Sequence, residues 1–289
     1  MTNINSILTK IPSLEIYKNH MLNTNNKSLF VSKYWLMLFA ILINLAIASP
    51  VYAQRVLRVG MEASFPPFSY KNEKNELTGF DYDIGNVICK QINAKCEWIE
   101  YDFDALIPAL RDGELDMVIS SMTITDERKG LVSFSDKYYV DSARLLVPKD
   151  LDVSDNLKEM EGKKVGVLTG STADAYGKDI LEKQGIRVVR YKTQLEVYIA
   201  LLTNEIQGTL VDTIPVEVYF LTKPYGEDYK FVGQAYDDPK YFGEGIGIAV
   251  KKGNNTLLNE LNEAIKATRE NGKYQEIQSK YFKSDIYGN

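Results

Sequence analysis

The sequence predicts an α/β protein built from two strand–helix series, and three observations carry this. Apolar strand-like runs alternate with segments of helical spacing, which argues for α/β units with parallel sheets. The alternation occurs twice, once up to about Tyr139 and again from about Ala143 to Tyr236. In each series polar residues gather where strands end: Ser120, Ser121, Thr123 and Arg128 in the first, Ser171, Thr172 and Asp212 in the second. Ligands of open α/β sheets bind at those carboxyl ends, so two lobes facing across a cleft would bring the sets together.

The elements follow in order. Arg55–Glu62 alternates as a first strand, and Ser64–Phe68, with two prolines, reads as a loop presenting two exposed aromatics. After Gly79-Phe80-Asp81-Tyr82-Asp83, the residues Ile84, Val87, Ile88 and Ile92 keep helical spacing. A strand at Cys96–Tyr101 and a helix at Ala105–Arg111, ended by Gly113, lead to the buried run Leu115–Ile119. That run gives way to hydroxyls, then to Thr125-Asp126-Glu127, a capped and acidic helix start from which Arg128 projects. Free N–H groups beside one guanidinium make a seat for a small carboxylate, a surface loop with a solvated arginine being the plain alternative. The second series holds strands at Ala143–Val147, Lys164–Leu168, Arg187–Tyr191 and Gly208–Val211, with a helix at Gln194–Asn204. A strand at Ile246–Val250 and helices at Asn255–Arg269 and Lys273–Phe282 close the chain.

Ahead of the first strand, Trp35 to Ala48 is apolar except for Asn44, the length of a signal-peptide hydrophobic region and short for a membrane span. Lys27 and Lys33 precede it, and Val51-Tyr52-Ala53 suits cleavage before Gln54. Residues 1–53 are therefore expected to be a signal peptide directing the protein to the periplasm, an uncleaved anchor being the alternative. A start at Met21 would give the leader normal proportions, and it has no cysteine for lipid attachment.

Removing the leader's four lysines and one glutamate from the 34 basic and 39 acidic residues leaves a net charge of −8. An acidic chain without a basic run argues against nucleic acid and anionic membrane surfaces as partners. The single histidine, His20, lies in the leader, which rules out histidine-dependent nucleophilic and zinc sites in the remainder. Cys89 and Cys96, so close together in an exported protein, read as a disulfide pinning a helix end to the next strand. A redox or metal-binding pair is the alternative, disfavoured by the spacing and the lack of other soft ligands.

The motif GFDYDIG (Gly79–Gly85) resembles the signature of family 3 of the bacterial solute-binding proteins, the polar amino-acid receptors of ABC importers. DFDALIPAL (Asp102–Leu110), SSMTITDERKG (Ser120–Gly130), FSDKYY (Phe134–Tyr139), VGVLTGST (Val165–Thr172) and KYFKSDIYGN (Lys280–Asn289) extend the likeness over nearly the whole exported chain. It is strongest to the lysine/arginine/ornithine-binding and histidine-binding members and includes the Cys89–Cys96 pair. The resemblance implies a two-lobed type II periplasmic-binding-protein fold, each lobe a mostly parallel sheet flanked by helices. Residues 54–139 and 246–289 would form one lobe and 143–236 the other, joined by a two-strand hinge near 140–142 and 237–245.

The same resemblance assigns roles. Arg128 would hold the ligand α-carboxylate, helped by the backbone at Thr123 and Thr172, and Asp212 the α-ammonium, with Ser120, Ser121 and Thr123 nearby. Phe65 and Phe103 would sandwich the side chain, and Glu62, Asp81, Ser171 and Ala173 would read its far end. Two acids between aromatic faces suit a cationic side chain, a cation over a ring gaining about 0.5–2 kcal/mol. The chain departs from the cationic receptors at Glu62 (a shorter aspartate there), Phe65 (tyrosine), Thr123 (serine) and Ala173 (glutamine). Arginine, lysine, ornithine and histidine are thus unranked, with a lean to arginine or lysine. The expected role is a monomeric receptor, not an enzyme and without cofactor or metal, that hands its ligand to a membrane permease. The alternative is a periplasmic enzyme like cyclohexadienyl dehydratase on the same scaffold, with Glu62 as the acid.

Overall fold

The structure, a computed structural model, describes residues 54–288; the expected leader and its Met21 start lie outside the described residues. The first series begins with β1 (Arg55–Met61), the short β2 (Ser64–Phe65), β3 (Ser69–Lys71) and β4 (Leu77–Thr78), and helix α1 (Phe80–Gln91). It continues with β5 (Ala94–Glu100), α2 (Leu106–Asp112), β6 (Met117–Val118), α3 (Asp126–Leu131) and β7 (Val132–Tyr139). The second runs through β8 (Ala143–Pro148), β9 (Lys164–Leu168), α4 (Thr172–Tyr176), β10 (Arg187–Tyr191), α5 (Gln194–Leu202), β11 (Gly208–Asp212), the single turn α6 (Thr213–Pro215) and β12 (Tyr229–Tyr236). The chain then returns through α7 (Pro239–Phe242) to β13 (Ile246–Lys251), α8 (Asn255–Glu270) and α9 (Lys273–Tyr281).

Two five-stranded sheets result, ordered β5-β1-β6-β13-β7 and β10-β9-β11-β8-β12. β1 is parallel to β5 and β6, and β9 to β10 and β11, while the other neighbours pair antiparallel. The sheets are thus more mixed than alternation alone suggests, because the strands flanking the two lobe crossings run back against the series. β7 and β12 were not legible as strands. β7 mixes polar residues into its run, and β12 is an edge strand with little buried surface.

Local chemistry explains the elements that hold the site. Helix α1 buries Phe80, Asp81, Ile84, Ile88 and Cys89 on one face, the 3.6-residue repeat of an amphipathic helix. Gly79 before it has φ +120°, and a Cβ there would stand 2.2 Å from the Phe68 carbonyl oxygen, so only glycine fits. β6 is shorter than the predicted Leu115–Ile119 run, although Asp116 N–H and Ile119 N–H still donate to Arg58 and Gly60 carbonyls at 2.9 and 3.1 Å. The loop expected at Ser64–Phe68 is instead strand β2 followed by a cis Pro66–Pro67 bond, and its aromatics are buried rather than exposed. Phe68 stacks on Tyr139 at 4.7 Å and meets Phe282 at 5.2 Å, which draws the segment into the core of the first sheet.

The disulfide Cys89–Cys96 is formed and ties the end of α1 to β5. Replacing both cysteines by serine is expected to cost about 2–3 kcal/mol in unfolding experiments, a fall in Tm of roughly 5–10 °C. An unchanged Tm would mean that the unfolded chain gains no freedom from losing the bridge.

The chain crosses between the sheets at 140–142 and 237–245. The second crossing contains α7 where a strand was expected, because Asp238 caps it (Lys240 N–H donating at 3.0 Å) and Pro239 takes the first helical position. The C-terminal residues brace the first crossing. Val140 N–H donates to the Ile286 carbonyl at 2.9 Å, Ile286 N–H donates to Gln278 Oε1 at 3.2 Å, and the Arg269 guanidinium lies 3.3 Å from the Tyr287 ring centroid. Helix α5 is apolar on more than its core face, leaving Leu195 and Ile199 about half exposed.

Candidate functional site

The carboxyl ends of the two sheets face each other around one cavity. Eleven of the twelve predicted binding residues line it: Glu62, Phe65, Phe103, Ser120, Ser121, Thr123, Arg128, Ser171, Thr172, Ala173 and Asp212. A wider groove shares Arg128, Ser171 and Thr172 with it. Charged side chains dominate the rest of that lining, which marks it as the mouth rather than the seat.

Arg128 is buried, though it carries a charge, and its position is built from the backbone upward. Thr125 Oγ1 accepts from Arg128 N–H at 3.3 Å and caps α3. Nη1 donates to the Thr123 carbonyl at 2.9 Å, Nη2 to the Gly170 carbonyl at 3.0 Å, and the guanidinium lies 5.5 Å from the Phe103 centroid. Gly170 belongs to the turn after β9, so one side chain spans both lobes. Lys192 and Asp102, 3.3 Å apart, make a second tie across the cleft. Burial lowers the Arg128 pKa to about 10, opposed by the nearby Asp212 charge, and the group stays cationic at neutral pH.

The loop carrying Thr123 is fixed to the second crossing. Thr123 bridges Ile246, Ile124 N–H donates to the Gly245 carbonyl at 2.8 Å, and Gly247 N–H to the Met122 carbonyl at 3.1 Å. Across the cleft, Ser171 caps α4 by accepting from Asp174 N–H at 3.1 Å. The Thr172 and Ala173 N–H groups that follow have no carbonyl within the helix to meet.

Asp212 ends β11 beside Asp141, an acid of the first crossing that the sequence reading did not single out. The Asp141 carboxylate accepts from Ser142 N–H at 2.7 Å and Ile214 N–H at 3.2 Å. Both acids are held above the ordinary carboxylate range, Asp141 by burial and then by Asp212, and Asp212 by burial against the pull of Arg128.

Glu62 is 3% exposed. Its N–H donates to Ser120 Oγ at 2.9 Å, and its carboxylate accepts from the Ser64 hydroxyl. Burial raises its pKa to about 7, with Ser64 opposing and Asp102 and Glu100 adding to the rise.

Asp81 is the exception among the predicted residues: it does not line the cavity. Its Oδ2 accepts from Ser121 N–H at 2.7 Å and Ser121 Oγ at 3.0 Å, and its Oδ1 from the Tyr138 hydroxyl at 2.8 Å. Ser121 has φ +48°, a left-handed conformation uncommon outside glycine, and Asp81 holds it there. This corrects the expectation that Asp81 reads the ligand's far end, since the donors beneath the loop outbid the cavity for its carboxylate. Burial raises its pKa to about 6, against the Tyr138 and Ser121 hydrogen bonds.

Leu168, Gln194, Leu210 and Val211 also line the cavity and were not anticipated. Gln194 opens α5 just after a strand's carboxyl end, the same placement that marked Ser171 and Thr172, so that rule would have found it.

Two lobes closing on a cavity with a buried guanidinium, a facing carboxylate and two aromatic rings define a two-lobed binding protein of the type II periplasmic fold. Among proteins of that kind, this chain belongs to the bacterial extracellular solute-binding proteins, family 3, which it matches over residues 57–284. It is 46% identical over 236 residues to the L-arginine-binding protein of Pseudomonas aeruginosa, covering 82% of this chain and 91% of that one. A solved ancestral arginine-binding protein bound to arginine is 37% identical with a TM-score of 0.72, covering 78% and 98%. An ancestral amino-acid-binding protein described as a precursor of cyclohexadienyl dehydratase is also similar, at 29% identity and a TM-score of 0.68 over 79% and 95%.

Proposed function

We propose that this protein is the periplasmic substrate-binding component of an ABC amino-acid importer and captures a cationic amino acid, arginine or lysine before ornithine or histidine. The carrying observation is the charge layout of one cavity: Arg128 and Asp212 close together, and Glu62 apart from them among acids. Arg128 would hold the α-carboxylate, its fork turning from the two backbone carbonyls to the ligand. Asp212 would take the α-ammonium, and Phe65 and Phe103 would flank the side chain. Its positive end would reach Glu62, the acid the cavity offers there once Asp81 is engaged below. The arginine-binding relatives support arginine first.

On this reading residues 1–53 are a cleaved leader, residues 54–139 and 246–289 form one lobe and 143–236 the other. The crossings at 140–142 and 237–245 act as the hinge, and the closed form docks on the permease as a monomer. A ligand favours closure only through contacts that closure creates, and the Arg128–Gly170 and Lys192–Asp102 pairs lie where they would respond to it.

The dehydratase reading is weaker here. A raised Glu62 would suit a general acid, but Asp212 in the same cavity would repel a dicarboxylate substrate.

The test is thermal unfolding of residues 54–289, one structural unit, against arginine, lysine, ornithine, histidine, glutamine, glutamate, prephenate and arogenate. A ligand at 100 times its Kd adds about 2.7 kcal/mol. A Tm rise with cationic amino acids is expected. A response confined to glutamate or glutamine would sink the role given to Glu62, and conversion of prephenate would sink the receptor reading.

A further inference from the structure

Gln194 is 4% exposed and lines the cavity, yet its Nε2 has no hydrogen-bond partner among the described residues. The Tyr198 hydroxyl one turn along lies near it but outside hydrogen-bonding geometry, and is likewise unpartnered. Helix α5 packs against β2, whose Ser64 donates to Glu62, which puts Gln194 and Glu62 at the same end of the cavity. A buried amide donor left unmatched costs about 1–3 kcal/mol. An ammonium or guanidinium consists only of donors and cannot match it.

Glu62 is equally ambivalent. Among the described residues no lysine or arginine pairs with it, and Ser64 is the one side chain donating to its carboxylate. The charged groups that face it are Asp102 and Glu100, Lys192 being engaged by Asp102, with Arg128 and Asp212 farther along the cavity. With its pKa raised to about 7 by burial, its carboxyl can donate a hydrogen bond when protonated and only accept when ionised, and both forms are within reach near neutral pH.

We propose that the cavity also takes the neutral ω-ureido isostere of arginine, whose ureido oxygen accepts from the Gln194 amide and from the neutral carboxyl of Glu62. The ureido group differs from a guanidinium by one oxygen in place of a nitrogen, so chain length and planarity are unchanged. With Glu62 ionised and the Gln194 amide turned to present Oε1, the same two side chains accept from a guanidinium. The inference rests on the receptor reading above, because the α-amino and α-carboxylate groups are held by Asp212 and Arg128 in either case.

L-Citrulline is the probe, with L-arginine as control, by titration calorimetry on residues 54–289 at pH 5.5 and 8.0. Arginine binding ionises Glu62 and releases its proton, so its affinity rises with pH; citrulline uses the neutral form and its affinity falls. The arginine-to-citrulline affinity ratio is expected to rise by up to about 300-fold between the two pH values. Asp212 and Asp141 act on both ligands alike and cancel from that ratio. Glu62→Gln should remove its pH dependence, and Gln194→Leu should weaken citrulline about tenfold more than arginine. Arginine binding without citrulline binding at either pH overturns the inference and leaves the receptor reading standing. A pH-independent ratio in the wild-type protein, or equal losses in Gln194→Leu, overturns it as well. Failure of both ligands to bind removes the receptor reading and the inference together.

Discussion

Replacing Arg128 by alanine is expected to weaken arginine binding at least 100-fold while leaving the fold intact. Each charge-assisted hydrogen bond contributes about 1.5–3 kcal/mol, and a guanidinium fork makes two with a carboxylate. Losing both corresponds to a factor of roughly 100 or more in Kd. The fold should tolerate the change because the backbone of residue 128 remains capped by Thr125. Arg128→Lys should recover little, since a point charge cannot reproduce the planar fork. Calorimetry on both variants decides the matter: a Kd within tenfold of wild type would mean that the carboxylate is seated elsewhere.

Asp81→Ala is expected to destabilise the protein by roughly 3–6 kcal/mol, measured by denaturant unfolding without ligand. It strands three buried donors, Ser121 N–H, Ser121 Oγ and the Tyr138 hydroxyl, each costing about 1–3 kcal/mol when unmatched. It also frees Ser121 from its left-handed conformation, so the loop presenting Ser120 and Thr123 should loosen and binding should fall secondarily. The signature separates this role from ligand contact. A variant with normal stability and a selective loss of cationic ligands would reinstate Asp81 as a direct partner.

The contrast between Arg128 and Asp81 shows what the sequence could reveal. Strand ends, caps and helix starts are local, so the alternation placed Ser120, Thr123, Arg128, Ser171 and Thr172 around one cavity without any structure. Which way an acid faces is decided by the donors around it. Those of Asp81 come from residues 40 and 57 positions away, and no local pattern announces them. The exposure expected of Phe65 and Phe68 failed likewise: prolines foretold a break in regular structure, but the rings that bury Phe68 belong to α1, β7 and the chain's last segment, and Phe65 stacks on Phe68. Strands β7 and β12 were missed because antiparallel edge pairing needs no apolar run.

The clasp of the C-terminal segment on Val140 bears on how the lobes swing. With its N–H engaged by Ile286, Val140 is anchored to the first lobe, and Ala143 is already within β8. Torsional freedom in the first crossing therefore narrows to Asp141 and Ser142. Those two peptide units adjoin Asp212, because Ser142 Oγ and Thr213 Oγ1 lie 3.1 Å apart and Asp141 accepts from Ile214 N–H. If the crossings act as the proposed hinge, the pivot in the first of them would therefore adjoin the group proposed to take the ligand's ammonium.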